Sequence, residues 1–253
     1  MNYRNYINNQ WCEAETGKTF DVENPFTEEI IAQVPASGEA DVNSAVEAAQ
    51  EAFKSWGKLT ASERRDYLRN MADKTREHAK GLAKTITAEM GKPFRDALAE
   101  LDDIAEYLEY YSELARDHVG RIVAPVEQNS MSLVQYEPYG VVGCIIPWNY
   151  PLSLMGWKLA PALACGNTVI LKPAETTPLT AMKLAELIQD AEHGYLAELL
   201  KPGAGSERWS VGMILRPAPF ACGTDFRIPL FWDHGAVDFC SMIGSRENPG
   251  QLQ

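Results

Sequence analysis

The stretch from Gly140 to Leu187, GVVGCIIPWNYPLSLMGWKLAPALACGNTVILKPAETTPLTAMKLAEL, constrains the fold of this chain more than any other. It opens with an unbroken apolar run, Val141 to Ile146, ended by Pro147. The run is too short for a helix and has no polar alternation, which is the pattern of a strand covered on both faces. Ser153 is placed to cap a helix reaching about Ala164, and Pro161, which lacks an amide donor, is expected to bend or restart it. Gly166 and Asn167 should stop that helix through a left-handed cap. A second β-branched run, Thr168 to Leu171, ends at Pro173, and Thr177 or Thr180 can cap a further helix over Ala181 to Ile188. Strand, helix, strand, helix implies a parallel sheet with crossover connections. Ligands of such sheets sit beyond the carboxyl ends of the strands. Here those ends are Pro147-Trp148-Asn149 and Lys172-Pro173-Ala174-Glu175.

The preceding chain reads as a scaffold for this unit. Tyr6 to Val34 alternates apolar and polar residues around turn clusters, which predicts short antiparallel strands laid on the domain edge. Three helices are expected next. The first carries Val42, Ala45, Val46, Ala49, Ala52, Phe53 and Trp56 on one face. The second starts at a Thr60/Glu63 capping box and runs along Leu68, Met71, Thr75, Leu82, Ile86 and Met90, with a bend or break marked by Gly81, to Gly91 and Pro93. The third follows Leu98, Leu101, Ile104, Leu108, Tyr111 and Leu114 to Gly120. Its Tyr107, Tyr110 and Tyr111 are read as core packing. Met131 to Glu137 alternates like an edge strand.

Composition narrows the function. A net charge of −12 disfavours nucleic acid and anionic membranes, both of which need basic surface. MNYRNYINNQW lacks the apolar centre of a signal peptide, and no run approaches a membrane span. The 5 cysteines are scattered without paired metal spacing, as are the 4 histidines, so free thiols in a reducing compartment are expected, no metal is assigned, and the cytoplasm is the expected location.

The strand–PWN–helix and strand–KPAE segments resemble the NAD(P)-dependent aldehyde dehydrogenase superfamily residue for residue, and look most like its betaine-aldehyde and related broad-specificity members. The resemblance covers about the first three-quarters of the chain. It implies an α/β fold: a partial Rossmann-like parallel sheet with flanking helices, plus the short antiparallel N-terminal strands. Residues 1–188 would be the N-terminal part of the cofactor-binding domain, with residues 121–138 forming an arm that reaches to a neighbouring subunit.

Asn149 is the leading catalytic candidate. A side-chain amide at the carboxyl end of a strand can aim its N–H at an oxyanion without itself titrating. A turn residue bonding its own backbone is the alternative. The resemblance favours the first reading, since the corresponding asparagine stabilises a tetrahedral thiohemiacetal. Lys172 and Glu175, three residues apart, can both reach the hydroxyls of an adenosine ribose. The Glu175 carboxylate would repel an added 2′-phosphate, which favours NAD over NADP. By resemblance Ile145, Ile146, Pro147, Trp148 and Pro173 complete the cofactor-binding set. Lys158 corresponds to a lysine assigned a proton-relay role, and equally reads as a helix lysine with a snorkelling stem.

Aldehyde oxidation also needs a thiolate nucleophile and a carboxylate that activates water. The ELGGK and GQxC strings that supply them in the family do not occur in this sequence. Cys144 and Cys165 read as small buried hydrophobes, and Cys222, in ACGTDF, lacks the nucleophile's context. From about Gln189 the family pattern is lost. Prolines at 202, 217, 219, 229 and 249 interrupt every apolar run, and Met242-Ile243-Gly244-Ser245 only echoes a cofactor-facing family segment. Residues 189–253 are therefore expected to be an aberrant, poorly ordered tail, of the kind a shifted reading frame produces. Translating the encoding DNA in its other frames tests that origin. The resulting expectation is an aldehyde dehydrogenase oxidising an aldehyde to its acid with NAD, truncated and inactive alone. The alternatives are a non-catalytic fragment that associates with full-length subunits, or a pseudogene product.

Overall fold

The computed structural model describes residues 3–117, 120–125, 127–199, 211–213 and 241–242, with side chains as far as residue 189. In chain order, β1 (Asn5–Ile7) and β2 (Gln10–Cys12) form a hairpin, and β3 (Thr19–Glu23) and β4 (Ile30–Pro35) a second. Helices α1 (Glu39–Trp56), α2 (Ala61–Glu77), α3 (Ala79–Met90) and α4 (Phe94–Leu114) follow. The hairpin of β5 (Arg121–Val123) and β6 (Ser132–Val134) then leads into β7 (Val141–Ile145), α5 (Ser153–Ala164), β8 (Thr168–Lys172), α6 (Leu179–Leu199), β9 (Val211–Met213) and β10 (Ser241–Met242).

The main sheet has the order β10-β7-β8-β9-β1-β2. The pairs β7/β8 and β8/β9 are parallel, as the strand–helix–strand–helix pattern requires. The N-terminal hairpin adds antiparallel strands at one edge through Tyr6 opposite Met213, the edge position its alternation predicted. The unbroken apolar runs are explained by cover on both sides. Val141 and Ile170 pack with Ala45 and Ala49 of α1 on one face. Val142, Cys144, Val169 and Leu171 turn into the larger core with Leu68, Leu101, Met155, Leu159 and Met182 on the other. Small residues on α1 let that helix approach closely, and the Thr168 hydroxyl donates to the Ala49 carbonyl at 2.9 Å.

Several local expectations are corrected. The long second helix is two helices, broken at His78 (φ −102°, ψ 10°), while Gly81 lies inside the first turn of α3, where a glycine is tolerated. Helix α4 ends at Leu114, ahead of Gly120. Tyr110 is 61% exposed and stacks edge-on against Tyr111; it is not a core residue. Pro161 does not interrupt α5, because packing against α2 and α4 outweighs one missing hydrogen bond. Gly166 does adopt the left-handed conformation (φ +87°) that closes the helix.

Neither crossover helix is capped by the nearby hydroxyl that the sequence offered. The Ser153 hydroxyl instead donates to Asp103 at 3.0 Å, and the amides of Leu152 and Ser153 donate to Glu100 Oε1 of α4 at 2.7 and 3.1 Å. Helix α6 starts at Leu179, two residues ahead of Ala181. The amides of Leu179 and Thr180 donate to the Glu89 carboxylate of α3 at 2.6 and 3.0 Å, and the Thr180 hydroxyl donates to it as well. Buried helix starts leave orphan amides that water cannot reach, and a carboxylate from a neighbouring helix satisfies several at once. The hydroxyl of Thr177, expected as a cap alongside Thr180, is buried without a hydrogen bond among the described residues.

Candidate active site

The site is built by strand register. Ile145 of β7 lies opposite Lys172 of β8, and the Ile146 amide continues the ladder by donating to the Lys172 carbonyl at 2.9 Å. The two carboxyl ends therefore stand side by side. Beyond them the chain turns outward: Ile146 is buried, whereas Ile145, Pro147, Trp148 and Asn149 are exposed. Trp148, 59% exposed, presents a large apolar ring where the backbone leaves the sheet, and an exposed large apolar side chain is more informative than a buried one.

On the β8 side Pro173 is buried, Lys172 is mostly buried and Glu175 is exposed. The Lys172 ammonium donates to the Pro173 carbonyl at 3.2 Å and lies 3.8 Å from the Glu175 carboxylate. An ion pair so open to water adds little stability. It does hold a donor and an acceptor together at the strand end.

The side chain of Asn149 makes no hydrogen bond among the described residues, so its amide is not spent on its own turn. Its backbone carbonyl is held by Lys92 Nζ at 3.0 Å. Lys158 does not snorkel: it is buried, and its ammonium donates to the Ile145 carbonyl at 3.0 Å, directly beneath the strand end.

Sequence reasoning missed Lys92, Glu89 and Glu100. Lys92 lies between α3 and α4, buried, with its ammonium 2.6 Å from Glu100 and 3.7 Å from the centre of the Tyr150 ring. Gly91, at φ +80°, makes the turn that sends Lys92 inward. One signal was available: Glu89 continues the Leu82–Ile86 stripe, and Glu100 falls between Ala97 and Ile104 on the face of α4 that becomes core. A carboxylate on an apolar stripe marks a polar duty inside the fold.

These carboxylates also shape the electrostatics. A doubly wound fold ordinarily offers the helix N-terminus after a strand to a phosphate. Here the starts of both α5 and α6 are taken by carboxylates of this chain. Burial pushes the Glu89 carboxyl up to about 7, against the hydrogen bonds from Thr180 and Leu179 and the charge of Lys183. Anionic groups are therefore not drawn to these two helix starts.

Cys144 is fully buried in the core, while Cys165 is exposed, which corrects its reading as a buried hydrophobe. It sits at the turn closing α5, at the end opposite the strand termini. Burial of its thiol still pushes the Cys165 pKa up, partly offset by Arg64. Cys222, Ile243, Gly244, Ser245 and the prolines at 202, 217, 219, 229 and 249 lie outside the described residues. Among the described residues no group of three or more His, Cys, Asp or Glu is placed to hold a metal, and no helix is long and apolar enough to cross a membrane.

A parallel α/β sheet with PWN and KPAE at adjacent strand ends is what the resemblance implied, and comparison with known proteins agrees. The aldehyde dehydrogenase family model matches residues 11–206, and the chain belongs to the aldehyde dehydrogenase family. It is 43% identical over 185 residues to the mitochondrial succinate-semialdehyde dehydrogenase of Oryza sativa subsp. japonica, covering 73% of this chain and 35% of that protein. It is 44% identical over 189 residues to retinaldehyde dehydrogenase 3 of Rattus norvegicus, covering 73% and 37%. Among solved structures, betaine aldehyde dehydrogenase from Staphylococcus aureus in complex with NAD+ superposes with a TM-score of 0.76 at 35% identity, covering 85% of this chain and 40% of that one. An NADP-dependent enzyme of E. coli gives 0.78 at 32%, covering 86% and 43%. The chain thus spans about two-fifths or less of the relatives it matches.

Proposed function

We propose that this chain supplies the adenosine-ribose and oxyanion portions of an NAD-dependent aldehyde-oxidising site, with NADP less favoured, and that by itself it does not oxidise aldehydes. The observation that carries the reading is the register of Ile145 against Lys172, which gathers Trp148, Asn149, Lys172 and Glu175 at one end of the sheet. In this reading Lys172 and Glu175 hydrogen-bond the ribose hydroxyls, and the Glu175 charge opposes a 2′-phosphate. Ile145, Ile146, Pro147, Trp148 and Pro173 form the surface the cofactor lies against, and its diphosphate avoids the two carboxylate-filled helix starts. The amide of Asn149 donates to the oxyanion of a tetrahedral adduct and so stabilises its charge. Lys158, held at the Ile145 carbonyl, is the proton-relay candidate. Hydride transfer requires a covalent thiohemiacetal, and neither cysteine with a described environment near these strands stands at the strand ends.

Isothermal titration with NAD and NADP, paired with NADH absorbance on betaine aldehyde and acetaldehyde, tests this. Weak NAD binding without turnover is expected. Robust turnover by this chain alone refutes the absence of a nucleophile.

A second reading, association with full-length subunits, has its own observation. The β5–β6 hairpin exposes Ile122 (75%), Leu133 (64%) and Tyr136 (61%) in a short, solvent-facing ribbon. Such a patch seeks a partner. Co-purification with a full-length family member is the expected outcome, and a strictly monomeric product counts against it. The scattered cysteines of the sequence, without paired spacing, favour a reducing compartment, for which the cytoplasm is proposed.

A further inference from the structure

The turn from Pro147 to Leu152 carries the proposed oxyanion donor, yet it has no regular structure of its own. One buried ion pair from another part of the chain holds it. Lys92 Nζ donates to Glu100 Oε2 at 2.6 Å and to the carbonyl of Asn149 at 3.0 Å, and lies 3.7 Å from the centre of the Tyr150 ring. Glu100 is fully buried; its other oxygen accepts the amides of Leu152 and Ser153. The turn is thus gripped at its middle through the lysine and at its end through the glutamate.

We propose that the Lys92–Glu100 pair is the positioning device for Asn149: by fixing the Asn149 carbonyl it sets the peptide plane and the direction in which the side-chain amide leaves the backbone. This rests on the reading of Asn149 as oxyanion donor. The ammonium has three N–H bonds; Glu100 and the Asn149 carbonyl take two, and the third side faces the aromatic ring. Lys92 therefore has no donor left for cofactor or substrate, and it acts only through Asn149. Charge-assisted bonds at both ends suit this duty, because they are short and directional. An amide that must meet charge appearing only in the transition state has to be aimed beforehand.

The test uses the whole chain labelled with 15N-asparagine, the side-chain amide signal of Asn149 being assigned by its loss in Asn149→Asp. Lys92→Met is expected to collapse that signal towards the unstructured position and, in a uniformly 15N-labelled sample, to raise amide exchange at Leu152 and Ser153 at least tenfold, while the apolar core stays folded. Lys92→Arg is expected to restore much of the dispersion. Glu100→Gln retains an oxygen for the Leu152 and Ser153 amides but removes the charge that holds Lys92, so it should move the Asn149 signal in the same direction with less change in exchange. An Asn149 signal that stays unmoved in a folded Lys92→Met or Glu100→Gln chain overturns the proposal. Failure of both variants to fold assigns the pair to the fold alone and overturns it equally. NAD titration of the same samples separates the two readings. Unchanged NAD affinity with a disordered Asn149 supports a role confined to the oxyanion donor. Absence of NAD binding in the unsubstituted chain counts against the proposed cofactor site and leaves the positioning result standing.

Discussion

Replacing Glu89 by glutamine should make the stability of this protein less dependent on pH. Glu89 is 2% exposed at the start of α6, and burial pushes its carboxyl from 4.5 to about 7. The groups facing it are the Leu179 amide, the Thr180 amide and hydroxyl, Lys183 from α6 and Tyr3, whose own pKa is raised by burial and by Glu186 and Glu89. The folded protein thus binds this proton more tightly than the unfolded chain. The stabilisation is complete below about pH 4.5 and disappears as pH rises through 7. At about 1.4 kcal/mol per pH unit between the two pKa values, the whole effect is about 3 kcal/mol, with most of it lost between pH 5 and pH 8. Glu63 and Glu109 are held below the ordinary carboxylate range by hydrogen bonds from Thr60 and Arg76, so both stay ionised across that window. Glutamine keeps an oxygen for the α6 amides and cannot ionise. Urea midpoints at pH 5, 6, 7 and 8 should show the unsubstituted protein losing about 2–3 kcal/mol relative to Glu89→Gln. A difference between the two proteins that is constant across pH refutes the assignment of the proton to Glu89.

Other perturbations test the remaining parts of the structure. Gly156→Ala should lower stability by about 1–3 kcal/mol in urea unfolding, because its Cβ would lie 2.9 Å from Ile104 Cγ1 where α5 crosses α4. Glu175→Gln should narrow the preference for NAD over NADP by about tenfold in isothermal titration, a change near 1.4 kcal/mol; an unaltered ratio removes Glu175 from cofactor choice. The double variant Ile122→Asp with Leu133→Asp should shift a self-associated or co-purified species to monomer on size-exclusion chromatography, without altering the urea midpoint.

The parts of this fold that follow a local period were legible in the sequence. Val141–Ile145 and Thr168–Lys172 are β-branched apolar runs bounded by prolines and glycines, and one residue's environment in a strand predicts the next. The capping box of Thr60 and Glu63 formed as read, because both partners lie within one turn. What failed was long-range. Ser153 and Thr177 looked like caps, but each helix start was claimed by a carboxylate 52 to 91 residues away in sequence. Lys92 and Asn149 are separated by 57 residues, and no local pattern links them. Cys165 sits just where a helix ends, a boundary that pattern reading places poorly, and Tyr110 lies off the face of α4 that carries Ile104, Leu108 and Ser112.

The central claim is that the adjacent ends of β7 and β8 form the nucleotide-binding part of an aldehyde dehydrogenase site. Titrating NAD into 15N-labelled protein and mapping the amide shifts addresses it most directly. The predicted result is perturbation concentrated at Ile145–Asn149 and Lys172–Glu175, with the starts of α5 and α6 little affected. Shifts that bypass both strand ends, or an unchanged spectrum at saturating NAD, would contradict it.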